Sequence, residues 1–504
     1  MAQSESTIIR SLIAPTIQLD DLVAEDLFEG TNEEMAAQQG NKSGRQYQKD
    51  LGTGHPFINI NNYVFKNEEI VEFTLDAMNY IPKVRVKVNL TNTGAFKSQS
   101  FPKDGDIMSV FIRAKNDAFK PIRNDYVITS VDAGKGASEG RGSTITMEGE
   151  LFVPRIHDEV IKSYNDTSYN TLQKVCKELG LGFASNETST SDKQNWICAG
   201  DTMYDFIQHV ALHSYKDEKS FYKVFIDVYY HLNFINVNNQ VAGEGKLAAA
   251  LLDTSQMKDF SSDDNFEKGS QTEVKKLLTD LDSLNGTNMF IRQYTVQNNS
   301  SEISKKWGYK SFAQFFDQKS VKTWEIFVDP IVSEGSAESK ILLKGRPYPK
   351  KPDGKSAEDY WKTQNRKYWM GVQYKDVHDK FIYAKLWNER NNEELNKMYI
   401  ECDVERWNPN IYRGEKVPVI LHTQGDLFKR KADQTPSETQ IPGDETPPVA
   451  DQLYSGYYMV DGIKIYYTMN AESTNYEDPP QEPATTMYEV FRLTRREWPV
   501  PGTG

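Results

Sequence analysis

Residues 164–183 read YNDTSYNTLQKVCKELGLGF, and how this stretch and its continuation to Asn238 are read decides the fold. Asp166, Thr167 and Ser168 supply cap-type side chains, and Tyr169, Leu172, Val175, Cys176 and Leu179 then recur at helical spacing. Gly180 stands where a helix stops, because glycine takes the left-handed conformation at little cost. Leu181–Ala184 is a short apolar exit and Asn186–Lys193 a polar loop. Asp201 is expected to cap a second helix whose apolar stripe is Met203, Phe206, Ile207, Val210 and Ala211. Past Lys216–Lys219, the alternation of Tyr222, Val224, Ile226, Val228, Tyr230 and Leu232 predicts one long strand over Phe221–Leu232. Two helices and a strand with an aromatic edge form a scaffold, not an active site.

Working outward toward the start, residues 1–55 are polar and acidic around small apolar clusters, Leu22–Val23 and Leu27–Phe28. Such a segment has little to bury and is expected to be an arm that orders only against a partner. From Pro56 the pattern changes. Val84, Val86 and Val88 alternate with Arg85 and Lys87, and Ile107–Arg113, Tyr126–Val131 and Thr144–Phe152 read as further strands between Gly- and Asp-rich turns. Strands so spaced, with no helix between them, suggest a small β-barrel or sandwich.

Toward the other end, Gly243–Gly269 is a polar connection and Thr272–Leu284 a predicted helix with Val274, Leu277, Leu278 and Leu281 on one side. Asn288–Val296, Lys322–Val328, Lys340–Leu343, Trp369–Tyr374, Phe381–Leu386 and Met398–Val404 read as strands, with Pro347–Arg366 an excursion among them. A last barrel-like region begins at Val417–His422 and resumes at Tyr457–Tyr467 and Met487–Leu493, around a Pro-rich insertion at Lys429–Gln452. The expectation is a mainly β chain with α/β insertions, an α+β class. It divides into an arm (1–55), a first β unit (56–155), a helix-containing scaffold (156–325) and a second β unit (326–504) with insertions at 347–366 and 429–452.

The totals bound what such a chain can do. At 504 residues it exceeds one compact core, and its 27 Tyr and 24 Phe favour strands. Cys176, Cys198 and Cys402 lie too far apart for a zinc spacing or a disulfide framework, and Cys176 falls on an apolar helix face as a buried thiol. A net charge of −13 argues against binding nucleic acid by phosphate neutralisation and suits a surface past which nucleic acid slides. No run of about 18 apolar residues could span a membrane, and Met1–Leu19 lacks the core of a signal peptide.

Patterns that could carry chemistry are few. His209 and His213 share a helix face with Asp205, but Val210 stands where a zinc-protease helix needs Glu, so a solvated helix flank is the reading. Gly136-Ala137-Ser138-Glu139-Gly140 has the letters of a nucleophile elbow but strands on both sides, which makes it a hairpin loop; it also lacks the lysine of a phosphate cradle. No Asp/Glu pair stands out for acid–base work. No catalytic residue, cofactor or metal is expected. Arg495-Arg496-Glu497-Trp498 is a polar cluster beside an indole, fit for an edge or interface contact.

These residues also carry a resemblance. Thr167-Ser168-Tyr169-Asn170-Thr171-Leu172, Leu179-Gly180-Leu181-Gly182-Phe183, Asp201–Ile207, Phe225–Tyr230 and Leu232–Ile235 come first. Asn408–Gly414, Ser455–Val460 and Thr494–Pro499 follow in order. Over roughly Thr146 to Pro499 the chain resembles the baseplate hub proteins of contractile-tailed bacteriophages, the T-even hub family, to which the N-terminal half of VgrG spike proteins is similar. The resemblance does not place the arm or the Pro-rich insertion, and no C-terminal needle repeats follow, so the piercing part is expected on another polypeptide.

The resemblance implies a non-enzymatic homotrimer in which each subunit contributes two tube-protein-like β-barrels. Three subunits then make a six-fold-like ring joining a hexameric tail tube to a trimeric central spike. It further implies tape measure and baseplate wedge proteins as neighbours, DNA passing the channel without specific binding, no membrane, and residence in the virion tail after assembly in the host cytoplasm. Ring closure needs heterologous contacts rich in aromatics and arginine, so Tyr457, Tyr458, Arg495, Arg496 and Trp498 are the interface candidates. The rival readings are a tail-associated cell-wall hydrolase and a carbohydrate-binding tail adhesin.

Overall fold

The computed structural model describes residues 56–242 apart from 62, 67–68, 91–99, 113–121 and 136–142. Beyond them it describes 277–279, 289–299, 310–328, 341, 366–404, 411–422, 451, 454–470 and 484–496. The arm, the loop at 136–140, residue Trp498 and nearly all of the two insertions lie outside the described residues. Within them the chain is mainly β with a few helices.

The first unit holds β1 (Phe57–Ile60), β2 (Tyr63–Val64), β3 (Ile70–Asp76), β4 (Lys83–Leu90), β5 (Ile107–Ile112), β6 (Ile122–Lys135) and β7 (Ser143–Leu151). They pair antiparallel in the order β3-β4-β7-β6-β5-β1-β2. Period two is visible in β4, where Val84, Val86, Val88 and Leu90 are buried while Lys83, Arg85 and Asn89 are exposed. The inward residues of all these strands but β2 meet in one core, so the sheet curls, but among the described residues no ladder closes it.

The scaffold follows: β8 (Glu159–Asp166), α1 (Ser168–Leu179), β9 (Gly182–Ser185), β10 (Gln194–Thr202), α2 (Met203–Leu212), β11 (Tyr222–Ile226), β12 (His231–Asn236) and α3 (Val237–Ala242). Thr167 caps α1 by accepting from the Asn170 N–H, and Gly180 ends it at φ 70° with its N–H on the Cys176 carbonyl. Asp192, buried, reinforces that start: its carboxylate accepts from the Ser168 N–H at 2.9 Å, the Ser168 hydroxyl at 2.6 Å and the Tyr215 N–H at 2.8 Å.

Two expectations need correction here. Thr202, not Asp201, caps α2, its hydroxyl accepting from the Asp205 N–H at 3.1 Å. The single strand over Phe221–Leu232 is a hairpin, β11 and β12, turned by Asp227, whose carboxylate accepts from the Tyr229 and His231 N–H groups. Tyr230 sits at φ 61° in that turn. Ile226 pairs with Leu232, an even separation, so the alternation reads straight through the bend.

The remaining elements are β13 (Leu277–Leu278), β14 (Met289–Asn298), β15 (Lys310–Asp317), β16 (Lys322–Val328), β17 (Arg366–Gln373), α4 (Phe381–Leu395), β18 (Met398–Val404), β19 (Lys416–Ile420), β20 (Gly456–Asn470) and β21 (Ala484–Arg495). Six strands close a ring, β19-β13-β14-β18-β21-β20 and back to β19. Leu277–Leu278 is therefore strand where a helix is expected; the rest of Thr272–Leu284, bar Thr279, lies outside the described residues. Phe381–Leu386 is likewise the start of helix α4, not a strand. Its buried positions Ala384, Trp387, Asn388, Asn391 and Leu395 have helical spacing, but two asparagines in the stripe disguise it. Those amides are used: Asn388 donates to the Leu212 and Ser214 carbonyls at 2.8 and 3.0 Å and accepts from the Tyr222 N–H.

Candidate assembly surface

The two β units are joined by one strand. Along one edge β20 pairs first with β19, through Gly456–Met459, and then with β3, through Lys464–Thr468. The first pairing closes the ring; the second continues the ladder into the first unit, giving a single sheet of 13 strands. The change of partner coincides with a bulge between Val460 and Gly462. A bulge shifts side-chain parity by one. Accordingly Tyr458 and Val460 lie in the core of the ring, whereas Ile465 and Tyr467 lie in the core of the first unit.

Asp461 and Gly462 make the bulge, and charged side chains from three parts of the chain converge on it. Lys223 of the scaffold forms an ion pair with the Asp461 carboxylate, and Arg492 stands 4.0 Å from it. Arg413 donates through Nε to the Asp461 carbonyl and through Nη1 to the Asn79 carbonyl at 2.6 Å and the Ala77 carbonyl at 3.2 Å, while its guanidinium lies 4.3 Å from the Phe225 ring centre. Burial pushes the Asp461 carboxyl up, but Lys223, Arg413 and Arg492 outweigh it and hold it below the usual carboxylate value. At Gly462 a Cβ would stand 2.4 Å from Met78 Cγ and 3.0 Å from its Cα, so nothing larger than hydrogen fits without a shift. Gly414, at φ 89°, donates to the Val460 carbonyl at 2.7 Å. This seam fixes how the two β units sit side by side.

The seam leaves one polar face continuous across both units. On β18, β21, β20, β3, β4 and β7 the positions opposite the core carry Glu401, Asp403, Arg492, Lys464, Glu72, Asp76, Lys83, Arg85, Lys87, Glu148 and Glu150. Partners across the ladders are oppositely charged: Lys464–Asp76 at 3.2 Å, Lys83–Glu150 at 3.7 Å and Arg85–Glu148 at 3.7 Å. Tyr466 stacks on Tyr488 with ring centres 5.2 Å apart. Six carboxylates face five cations, so this surface is close to neutral although the chain carries −13.

Of the five residues singled out in the sequence for subunit contacts, four are described and all four are buried within the chain. Tyr457, Tyr458, Arg495 and Arg496 are 3%, 0%, 0% and 1% exposed. Tyr457 packs with Leu386 and Trp387 of α4, and Tyr458 lies inside the ring with the Arg495 guanidinium 5.6 Å from its ring centre. The Arg496 N–H donates to the Ile341 carbonyl, and burial pushes its guanidinium pKa down to about 10 against the pull of Glu394. Side chains with no exposed surface serve the chain's own core. The sequence reading passed over Lys223, Arg413 and Asp461; the signal was Gly462 inside a long alternating run, where an interior glycine marks a bulge.

His209 and His213 form no metal cluster; among the described residues no group of three or more His, Cys, Asp or Glu could hold a metal. Their flank is not solvated at His213, which is 4% exposed beneath Phe381, ring centres 3.7 Å apart. Its Nδ1 donates to the Phe381 carbonyl, and His378 Nε2 donates to the His213 carbonyl at 3.0 Å, tying the start of α4 to α2. Burial holds both imidazoles below the usual histidine value. Cys176 is buried on its helix face, as its position in the stripe predicts.

No family model and no curated protein matches this chain. Solved structures similar to it are phage tail proteins and a type VI secretion component. A tail protein from Neisseria meningitidis MC58 is 10% identical with a TM-score of 0.46, over 88% of this chain and 97% of the other. The 43 kDa tail protein of prophage MuSo2 from Shewanella oneidensis is 10% identical with a TM-score of 0.44, over the same shares. A type VI secretion component of E. coli, described as structurally similar to the T4 tail proteins gp27 and gp5, is 9% identical with a TM-score of 0.38, over 88% of this chain and 79% of its own.

Proposed function

We propose that this chain is a structural, non-enzymatic wall protein: the hub of a contractile-tail baseplate, acting as a homotrimer between a hexameric tail tube and a trimeric central spike. The observation that carries the reading is the shared edge of β20, which sets a closed six-stranded ring beside a second curled sheet under one unbroken polar face. One chain then offers two side-by-side β units, and three chains about an axis offer six. Of the sequence motifs that resemble hub proteins, Ser455–Val460 runs into β20 and Thr494–Pro499 begins at the end of β21. On this reading the face formed by β18 to β7 lines the channel, and its cross-strand ion pairs leave few free cations to hold DNA phosphates. Tube, spike, tape measure and wedge proteins are its neighbours, and the virion tail its location.

The hydrolase reading finds less support. The cleft near the start of α1, about 650 Å³ in volume, is lined by Thr167, Thr190, Lys193, Tyr215, His378 and Asp379 among others. Among the described lining residues Asp379 is the one carboxylate, and Lys319 holds it at 2.7 Å. Glycoside hydrolysis ordinarily uses a pair of carboxylates.

The mass of the purified particle, by light scattering, tests the proposal, with threefold-averaged electron micrographs as a second readout. Three chain masses and a ring with six lobes are expected. A particle that stays single both in solution and in isolated tails overturns it.

A further inference from the structure

The loop after β9 carries a carboxylate that links a lysine to an amide. The Glu187 side chain is 2% exposed. Its Oε2 accepts from Lys216 Nζ at 2.5 Å, and its Oε1 accepts from Asn236 Nδ2 at 2.5 Å and Asn239 Nδ2 at 2.9 Å. Asn236, the last residue of β12, has no exposed surface. Its Nδ2 also donates to Ser220 Oγ at 2.9 Å, and its Oδ1 accepts from the Asn239 N–H at 3.4 Å. The surroundings are apolar. Tyr222 pairs with Asn236 in the ladder and stacks on Phe234, and the adjoining Phe221 and Val237 are fully buried. Lys216, its side chain 35% exposed, enters from the rim. Two nitrogens bound to one carboxylate stand no more than about 7 Å apart. The flexible lysine stem can close what remains.

We propose that Lys216 and Asn236 join in an isopeptide bond, with Glu187 as general base and then general acid. Lys216 passes a proton along its hydrogen bond to Glu187, and the neutral Nζ attacks Asn236 Cγ. The Asn239 N–H, already on Oδ1, holds that oxygen as negative charge develops. Glu187 gives its proton to Nδ2, the Cγ–Nδ2 bond breaks and ammonia leaves. The new amide nitrogen sheds its second proton to Glu187, and the ammonia carries that proton away as ammonium. Nothing is oxidised or reduced, and no further reactant is consumed. It is a single event within the folded chain and requires nothing of the hub reading. The bond closes a loop around the β11–β12 hairpin, which restricts the unfolded chain.

The intact mass of purified full-length protein tests it. A mass below the sequence value by one ammonia is expected, with the tryptic peptides holding Lys216 and Asn236 recovered as one branched species. Glu187→Gln and Lys216→Arg, checked for folding by circular dichroism, should each restore the full mass. A parent protein of full mass overturns the proposal, as does a branch at Asn239. A loss of ammonia that survives Lys216→Arg marks a cyclised asparagine and overturns it too. A branched species that persists in Glu187→Gln overturns the role given to the carboxylate.

Discussion

At the scale of single residues, the seam turns on Asp461. Its side chain is 14% exposed and that of Lys223 18%, so removing the carboxylate strands three cations around a largely dry site. Breaking a buried pair in this way costs about 3–5 kcal/mol. Asp461→Ala should therefore lower the unfolding free energy in urea by about that much, and a loss below about 1 kcal/mol would show that the seam is held by packing alone. The same carboxyl, depressed when folded, stabilises above the ordinary carboxylate pKa, and that stability is lost as pH falls below about 4. The histidines act in a higher window. His213 and His378 are depressed when folded, so below about pH 6.5 the unfolded chain takes up protons that the folded one refuses. Stability should fall as pH drops from about 7 to 5, and His213→Gln should flatten that slope in thermal melts. The groups around the pair are His209, Lys385 and the Phe381 carbonyl at His213, and Asp192, Asp379 and Lys319 at His378. An unchanged slope would assign the pH response elsewhere.

At the scale of elements, β20 carries the argument, because one edge serves two sheets. A proline at Thr74, which pairs with Tyr466 in the β3–β20 ladder, removes a donor inside a central strand. Thr74→Pro should cost about 3 kcal/mol or more and speed amide exchange in both β3 and the Lys464–Thr468 half of β20. Exchange that rises in β3 alone would mean the units do not depend on each other. Gly462→Ala tests the bulge itself. Overpacking of this kind costs about 1–3 kcal/mol. Adding Met78→Ala should recover part of the loss, since Met78 Cγ is the nearest atom but its Cα also stands 3.0 Å away. No recovery would place the strain in the backbone rather than against Met78.

For the whole molecule, the proposed role as a channel wall makes the near-neutral polar face the property to test. Glu72→Lys, Glu148→Lys and Glu401→Lys together turn six carboxylates against five cations into three against eight. The triple variant should retain duplex DNA in a gel shift at about 50 mM salt and release it at about 200 mM, whereas the parent retains none at either. A variant that still ignores DNA at low salt would mean this face is closed to a duplex.

How much of this was legible beforehand follows from the range of each interaction. The period-two runs of β4, β7, β18 and β21, the Thr167 cap with its Gly180 stop, and the stripe of α2 are set by neighbours a few residues apart, and a single sequence displays them. Helix α4 escaped because its buried Asn388 bonds to the scaffold carbonyls of Leu212 and Ser214, partners more than 170 residues away in the chain. The β11–β12 hairpin escaped because its paired residues are an even number apart, which preserves the alternation through the turn. The sequence by itself determined that this is a strand-rich scaffold with helices between its β units, since periodicity and capping are local chemistry. Only the tertiary structure decided that Lys464 pairs with Asp76, that Arg413, Lys223 and Asp461 meet, and that Tyr458 and Arg495 belong to the interior. Those are pairings between distant strands and the burial that follows from them, and no local pattern records which edge a strand will share.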